Sequence, residues 1–355
     1  MSGSLSKYAF VNAKLRARIS RILGDDTFAQ LAKAPSLDAA LALLRETDFA
    51  DLERTYSATG DLKLAELELL KREIASYKNI RRHVHPECMP LVDALLSQFE
   101  IDNLKNAIRI FFDRTIRKRP ADTNAHYVIH DRILHEIPID LVVNATNFDE
   151  IAGVCKGTPY GSIIKQYGLT VESEGSLFRL EMAFDHYYYR MLLTAIRQLD
   201  QPDRDIALRL SGVEIDLQNI RWIIRFRNFY DLSLEGVMAA IVPGGFNLSR
   251  ELIDEMYRAQ NVTSMLRGFI KSRYPMLATL LSTETPDTTS RLLLLRRIME
   301  EIMKEEVHRI IMGYPFTVGI ILAYFLLKKR ELTKLRTLLN AKQYGVSQER
   351  IESLL

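Results

Sequence analysis

The chain has 355 residues, 26% charged and 47% apolar, with a net charge of +3. That is the composition of an ordinary folded protein, long enough for two or three domains, and the charge excess is too small to predict nucleic acid as a partner. Cys88 and Cys155 are the only cysteines, which predicts free thiols in a reducing compartment, and the first twenty residues lack the apolar core of a secretory signal.

In chain order, almost every segment reads at helical period, with few alternating β-branched runs, so the expected class is all-α. A first helix start lies at SLDAALALLRETDF, opening on the N-cap residue Ser36. A long amphipathic helix follows at 64–80. His83, His85, Glu87 and Cys88 then offer metal-capable side chains in a short run, but Pro86 interrupts it and a polar interhelical loop is the better reading. No metal and no cofactor is expected. The helix MPLVDALLSQFEIDNLKNAIR comes next, and the basic run Arg114, Arg117, Lys118, Arg119 with Pro120 reads as a solvated linker.

The same series then begins again. NFDEIAGVCKGTPY opens on Asn147, a long helix covers 177–199, and PDRDIALRLSGVEIDLQNIRWIIR follows. In that long helix Glu181 and Asp185 share a face, which a solvated surface explains. A third series opens at Asn261 with NVTSMLRGFIKSRY and continues with a helix at 290–309.

Ile310 to Leu327 then carries no charge at all. Such a window sits at the lower edge of what spans a bilayer. Gly313, Pro315 and Gly319 interrupt it, and Pro315 suits a helix N1 position. A regular helix from Pro315 to Lys328 is too short to cross, so the expectation is a helix surrounded by protein and no transmembrane span.

Two marks recur across the three series. The first is acid–x–x–(Asn/Lys)–(Leu/Ile)–(Lys/Arg), in EIDNLKNAIR, DLQNIRWIIR and ELTKLRTLLN, whose acids Glu100, Asp216 and Glu331 lie 116 and 115 residues apart. The second is a hydroxyl two residues before an aromatic: Thr47 and Phe49, Thr158 and Tyr160, Ser272 and Tyr274. It is expected to cap or staple a helix corner. Repetition at this interval predicts three homologous helical units, 1–117, 118–230 and 231–355, with the N-terminal helix packing against the third. On a helix, Leu104 with Ile108, Ile220 with Ile224 and Leu335 with Leu339 form a packing seam. Beside it runs a basic row: Lys105 and Arg109, Arg221 and Arg225, Arg336 with Asn340. The five cations are expected to face an acidic or helical partner; solvated flanks are the alternative. No GxxxxGK[ST] or GxGxxG loop occurs, and no Ser or Cys nucleophile sits in a known signature. No catalytic residue is expected.

With the copies laid out, YAFVNAKLRA (8–17), LLRETDFADL (43–52), FEIDNLKNAIR (99–109), CKGTPYGSII (155–164) and the stretch from Phe316 to Ile351 stand out. By these segments the sequence resembles the C subunit of V-type (A/V-type) ATPases and ATP synthases, related to the d subunit of the eukaryotic V-ATPase. The resemblance implies an all-helical funnel of three units about a pseudo-three-fold axis. It also implies a non-catalytic rotor role on the cytoplasmic face of the membrane, joining central-stalk subunits of the D/F type to the proteolipid ring during ion transport. The competing reading is a generic helical adaptor for a helical peptide or nucleic acid, against which the long repeat interval argues.

Overall fold

The computed structural model describes residues 2–119, 127–226, 232–259, 262–275, 277 and 288–354. Those residues form α-helices joined by turns, with no strand among them. The first series comprises α3 (Leu37–Ala42), α4 (Ala50–Thr59), α5 (Leu62–Arg81) and α6 (Met89–Thr115); the second comprises α8 (Phe148–Val154), α9 (Pro159–Glu174), α10 (Phe178–Arg197) and α11 (Asp203–Arg225). The third contains α14 (Val262–Arg273), α15 (Thr288–Met312) and α16 (Gly319–Gln343). Short helices precede each series: α2 (Asp25–Lys33), α7 (Ile139–Asn144) and α13 (Arg250–Arg258). The remainder are α1 (Ser2–Ile19), α12 (Leu234–Ala240) and α17 (Gln348–Leu354).

Helix starts follow local chemistry. Ser36 and Asn147 each accept a hydrogen bond from the backbone N–H three residues on, at 3.1 and 2.8 Å, as their sequence context predicts. Asn261 lies outside the described residues. The hydroxyl–x–aromatic mark is the same device twice. Thr47 Oγ1 donates to Leu44 O at 2.7 Å and accepts from Phe49 N–H at 3.1 Å; Thr158 Oγ1 donates to Cys155 O at 2.8 Å and accepts from Tyr160 N–H at 3.2 Å. Each hydroxyl thus ends one helix and starts the next, and points the aromatic that follows into the core, where Phe49 and Tyr160 are buried. The side chain of Ser272 lies outside the described residues.

The chain divides into two compact units. One comprises Met1–Ile22, Ile196–Leu332 and Glu352–Leu355; its core gathers Tyr8, Leu15, Leu210, Ile223, Phe226, Phe269, Ile302 and Phe325. The other comprises Leu23–Ala195 and Thr333–Ile351, with Tyr77, Leu95, Phe111, Phe112, Tyr160 and Phe184 at its centre. Each such side chain contributes on the order of 2 kcal/mol by leaving water. Cys88 and Cys155 are free thiols, both buried, and burial with the nearby Glu100 charge pushes the Cys155 thiol up to about 12.

The uncharged window is resolved in the first unit. Among the described residues no helix is long and apolar enough to cross a membrane. Thr317 to Leu326 are buried without a break, so the helix is covered on its whole circumference by protein. The helix begins four residues later than Pro315 predicts. The buried Asp203 carboxylate accepts from Val318 N–H at 2.9 Å, and Thr317 Oγ1 accepts from Gly319 N–H at 3.3 Å. These two acceptors take the first helical amides, so capping overrides the proline signal.

Candidate functional site

The repeated helices α6, α11 and α16 carry their acid and the residue three places on along one face, and all six side chains are buried: Glu100, Asn103, Asp216, Asn219, Glu331 and Lys334. Polar groups are costly in such a place unless they are hydrogen-bonded. In α6, Asn103 brackets the backbone of Ile129, donating to its carbonyl at 2.8 Å and accepting from its N–H at 2.7 Å. Glu100 accepts from Leu134 N–H at 2.7 Å, from His135 N–H at 2.8 Å and from the Tyr160 hydroxyl at 2.9 Å, and His135 Nδ1 lies 2.6 Å from Glu100 Oε1.

In α11 the same pair does the same work. Asn219 brackets Val242, at 2.9 and 3.0 Å, and Asp216 accepts from the N–H groups of Phe246, Asn247 and Leu248 at 3.1, 2.6 and 3.2 Å. The motif is therefore a clamp: a buried acid and amide one turn apart seize the backbone of the connector leading to the next series. Burial pushes Asp216 up to about 6 against the opposing pull of its three amide donors and Arg273. The aromatic of the following series stands by each acid. Tyr160 bonds Glu100, and Tyr274 is raised by burial and by the charges of Glu306 and Asp216.

The third clamp differs. Glu331 pairs with Lys328 at 2.8 Å, and Lys334, where the other copies have Asn, reaches Asp25 at 3.5 Å and lies over the Phe28 ring. Its connector is the N-terminal segment: Lys342 also donates to Ala32 O and Ala34 O, at 2.9 and 2.5 Å, at the C-terminus of α2.

The basic row has a mixed fate. Lys105, itself buried, pairs with Asp185, and Arg109 Nε donates to Glu181 at 2.7 Å. Although burial opposes its charge, the Glu181 hydrogen bond and charge raise Arg109 above its ordinary value. Arg336 Nε and Asn340 Nδ2 both donate to Glu66, at 3.2 and 2.6 Å, and burial raises that carboxyl against the pull of Arg336. Glu181 and Asp185, which read as a solvated face in the sequence, are thus the acidic half of a helix seam. Arg221 and Arg225 are exposed on α11. In the basic run, Arg117 and Arg119 stand 3.2 and 3.9 Å from Asp113, and Arg114 donates to Ala145 O at 2.6 Å; Pro120 lies outside the described residues. His83 Nδ1 lies 2.7 Å from Asn79 O, and Cys88 is buried at the start of α6. No group of three or more metal-capable side chains occurs among the described residues.

Each of these pairs is buried on one side, at Lys105 in the first and at Glu66 in the other. Lys105→Ala leaves Asp185 facing a partly desolvated gap and is expected to cost about 2 kcal/mol or more. Arg336→Ala removes a side chain that is 60% exposed but strands the Glu66 carboxylate, only 9% exposed, with Asn340 as its remaining donor, and is expected to cost about 1–2 kcal/mol. Urea unfolding of both variants checks this, and a loss under about 0.5 kcal/mol from Arg336→Ala would contradict a buried Glu66 that needs its cation.

The helix clamps were within reach of the sequence in one respect: an acid and an amide three apart on an otherwise apolar face is a signal for buried backbone capture. The identity of the captured residues, tens of positions downstream, is not carried by any local pattern.

Comparison with known proteins places this architecture. The chain matches the family described as ATP synthase (C/AC39) subunit along residues 11–354. It is similar to the C subunit of the A-type ATP synthase of Methanosphaera stadtmanae, 24% identical over 343 residues that cover 95% of this chain and 84% of that one. The corresponding A-type ATP synthase C subunit of Thermococcus onnurineus is 24% identical over 351 residues, covering 98% and 90%. That of Methanocaldococcus jannaschii is 22% identical over 358 residues, covering 99% and 86%.

Proposed function

The chain belongs to the ATP synthase (C/AC39) subunit family, and from that premise we propose that it is a non-catalytic coupling part of a rotary ATPase. In this reading it receives central-stalk subunits of the D/F type and seats them on the proteolipid ring, at the cytoplasmic face of the membrane, so that stalk and ring turn together. The observation that carries the reading is how the buried polar groups are used. Glu100, Asn103, Asp216 and Asn219 all hold backbone of this same chain. Clamped connectors and close-packed helical seams resist deformation, which is what a part that transmits torque requires. The like use of the pairs in α6 and α11 also supports the division into three copies, 1–117, 118–230 and 231–355, as part of the same proposal.

The test is affinity isolation of the tagged chain from membranes in mild detergent. Nucleotide-binding subunits, stalk subunits and the proteolipid are expected to accompany it, while the separated chain hydrolyses no ATP. ATP hydrolysis by the separated chain, or isolation without any of those subunits, would overturn the reading.

A further inference from the structure

Resting on that coupling reading, we propose that the outward face of α14, through Arg267 and Lys271, is the docking site for an acidic helix of a neighbouring subunit, one presenting carboxylates a turn apart. The two cations stand four residues apart on one helix, and both are exposed. Neither forms an ion pair among the described residues.

The other copies show that the fold does not ask for these charges. α14 opens the third series as α3 and α8 open the first two, and segments 36–49, 147–160 and 261–274 align residue for residue. The first holds the acids Asp38, Glu46 and Asp48 with Arg45, and the second holds Asp149 and Glu150 with Lys156. The third holds Arg267, Lys271 and Arg273 and no acid. Arg267 stands where the others have Ala42 and Gly153, and Lys271 where they have Glu46 and Gly157. Arg273 has a task inside the unit, since its charge acts on the Asp216 carboxylate. The adjoining helix α13 does not answer the other two. Its Asp254 pairs with Arg258 at 2.8 Å. Its Glu251 is held below the usual carboxylate range by hydrogen bonds to its own backbone amide and to Ser249, with the Arg250 charge beside it.

The chemistry of the face selects the occupant. The apolar side chains of α14 among the described residues, Leu266, Phe269 and Ile270, are buried. The face therefore offers nothing to insert into a bilayer, and two cations alone hold an anionic membrane weakly. The chain's own answer to the same pattern is a helix. Lys105 and Arg109, four apart on α6, pair with Asp185 and Glu181, four apart on α10. An acidic helix laid along α14 meets Arg267 and Lys271 in the same way. Such exposed pairs add little bulk affinity, but they fix register, steer encounter and reject partners of the wrong charge.

The experiment uses the full chain in its complex, isolated through a tag on this chain. The double reversal Arg267→Glu with Lys271→Glu is expected to lower retention of one accompanying subunit by about ten-fold, with helicity by circular dichroism unchanged. In the wild-type complex, carbodiimide is expected to join the Lys271 amine to an aspartate or glutamate of that same subunit, read by peptide mass, a result that does not depend on the variant folding. Full retention in the double reversal, or coupling of Lys271 only within this chain, overturns the docking site and leaves the coupling reading standing. So does a double reversal that loses only binding to phosphatidylglycerol vesicles. A wild-type chain that brings down no ATP synthase subunit overturns the coupling reading itself.

Discussion

Glu100→Ala is expected to be among the most damaging single substitutions in this protein, costing about 3–5 kcal/mol. The carboxylate is buried and accepts from two backbone amides and the Tyr160 hydroxyl, with the His135 ring against its second oxygen. Truncation leaves all of these groups in a low-dielectric interior with nothing to replace water. Glu100→Gln is expected to recover part of the loss, because its one carbonyl oxygen still accepts while its amide nitrogen opposes the remaining donors. Urea unfolding gives the size of the effect, and hydrogen exchange gives its place: the Leu134 and His135 amides should become fast exchangers while the Ile223 amide in α11 does not. Uniform acceleration across both units would contradict a local clamp.

Gly245→Ala is expected to be nearly as damaging, by about 3 kcal/mol, although it removes no interaction. The connector turns through Gly244, whose φ of +98° favours glycine, and then passes so close to α11 that a Cβ at position 245 would overlap Asp216 Oδ1. Alanine therefore forces the turn away from the carboxylate and breaks the three amide bonds at once. Because Asp216→Ala breaks the same bonds from the other side, the double variant should cost far less than the sum of the two single ones. Additive losses in urea unfolding would show that residue 245 and Asp216 act on separate parts of the unit.

How much of this is legible in the sequence differs by element. The long helices predicted at 64–80, 177–199 and 290–309 are α5, α10 and α15, because a 3.6-residue apolar period is written directly in the chain. The Thr–x–aromatic corner is legible for the same reason: every atom of the device lies within a few residues. Pro315 misplaces the start of α16, since the acceptor that decides it, Asp203, comes from a segment far away in sequence.

The roles of charged residues are the least legible. Lys105 and Arg336 occupy the same motif position, yet one is buried against Asp185 and the other is largely exposed beside Glu66. Glu181 and Asp185 give no sign in the sequence that they face a basic row rather than water. An ion pair depends on which helix lies opposite, and charge itself has no periodicity that reveals its neighbour.

By itself, then, the sequence determined the helical class, the threefold recurrence of acid and aromatic, and the family, because these depend on local period and on order along the chain. Only the tertiary structure decided that Glu100 and Asp216 hold connectors and that two basic rows are neutralised within the chain. Those facts depend on distances between segments far apart in sequence, and packing sets such distances where no local pattern can.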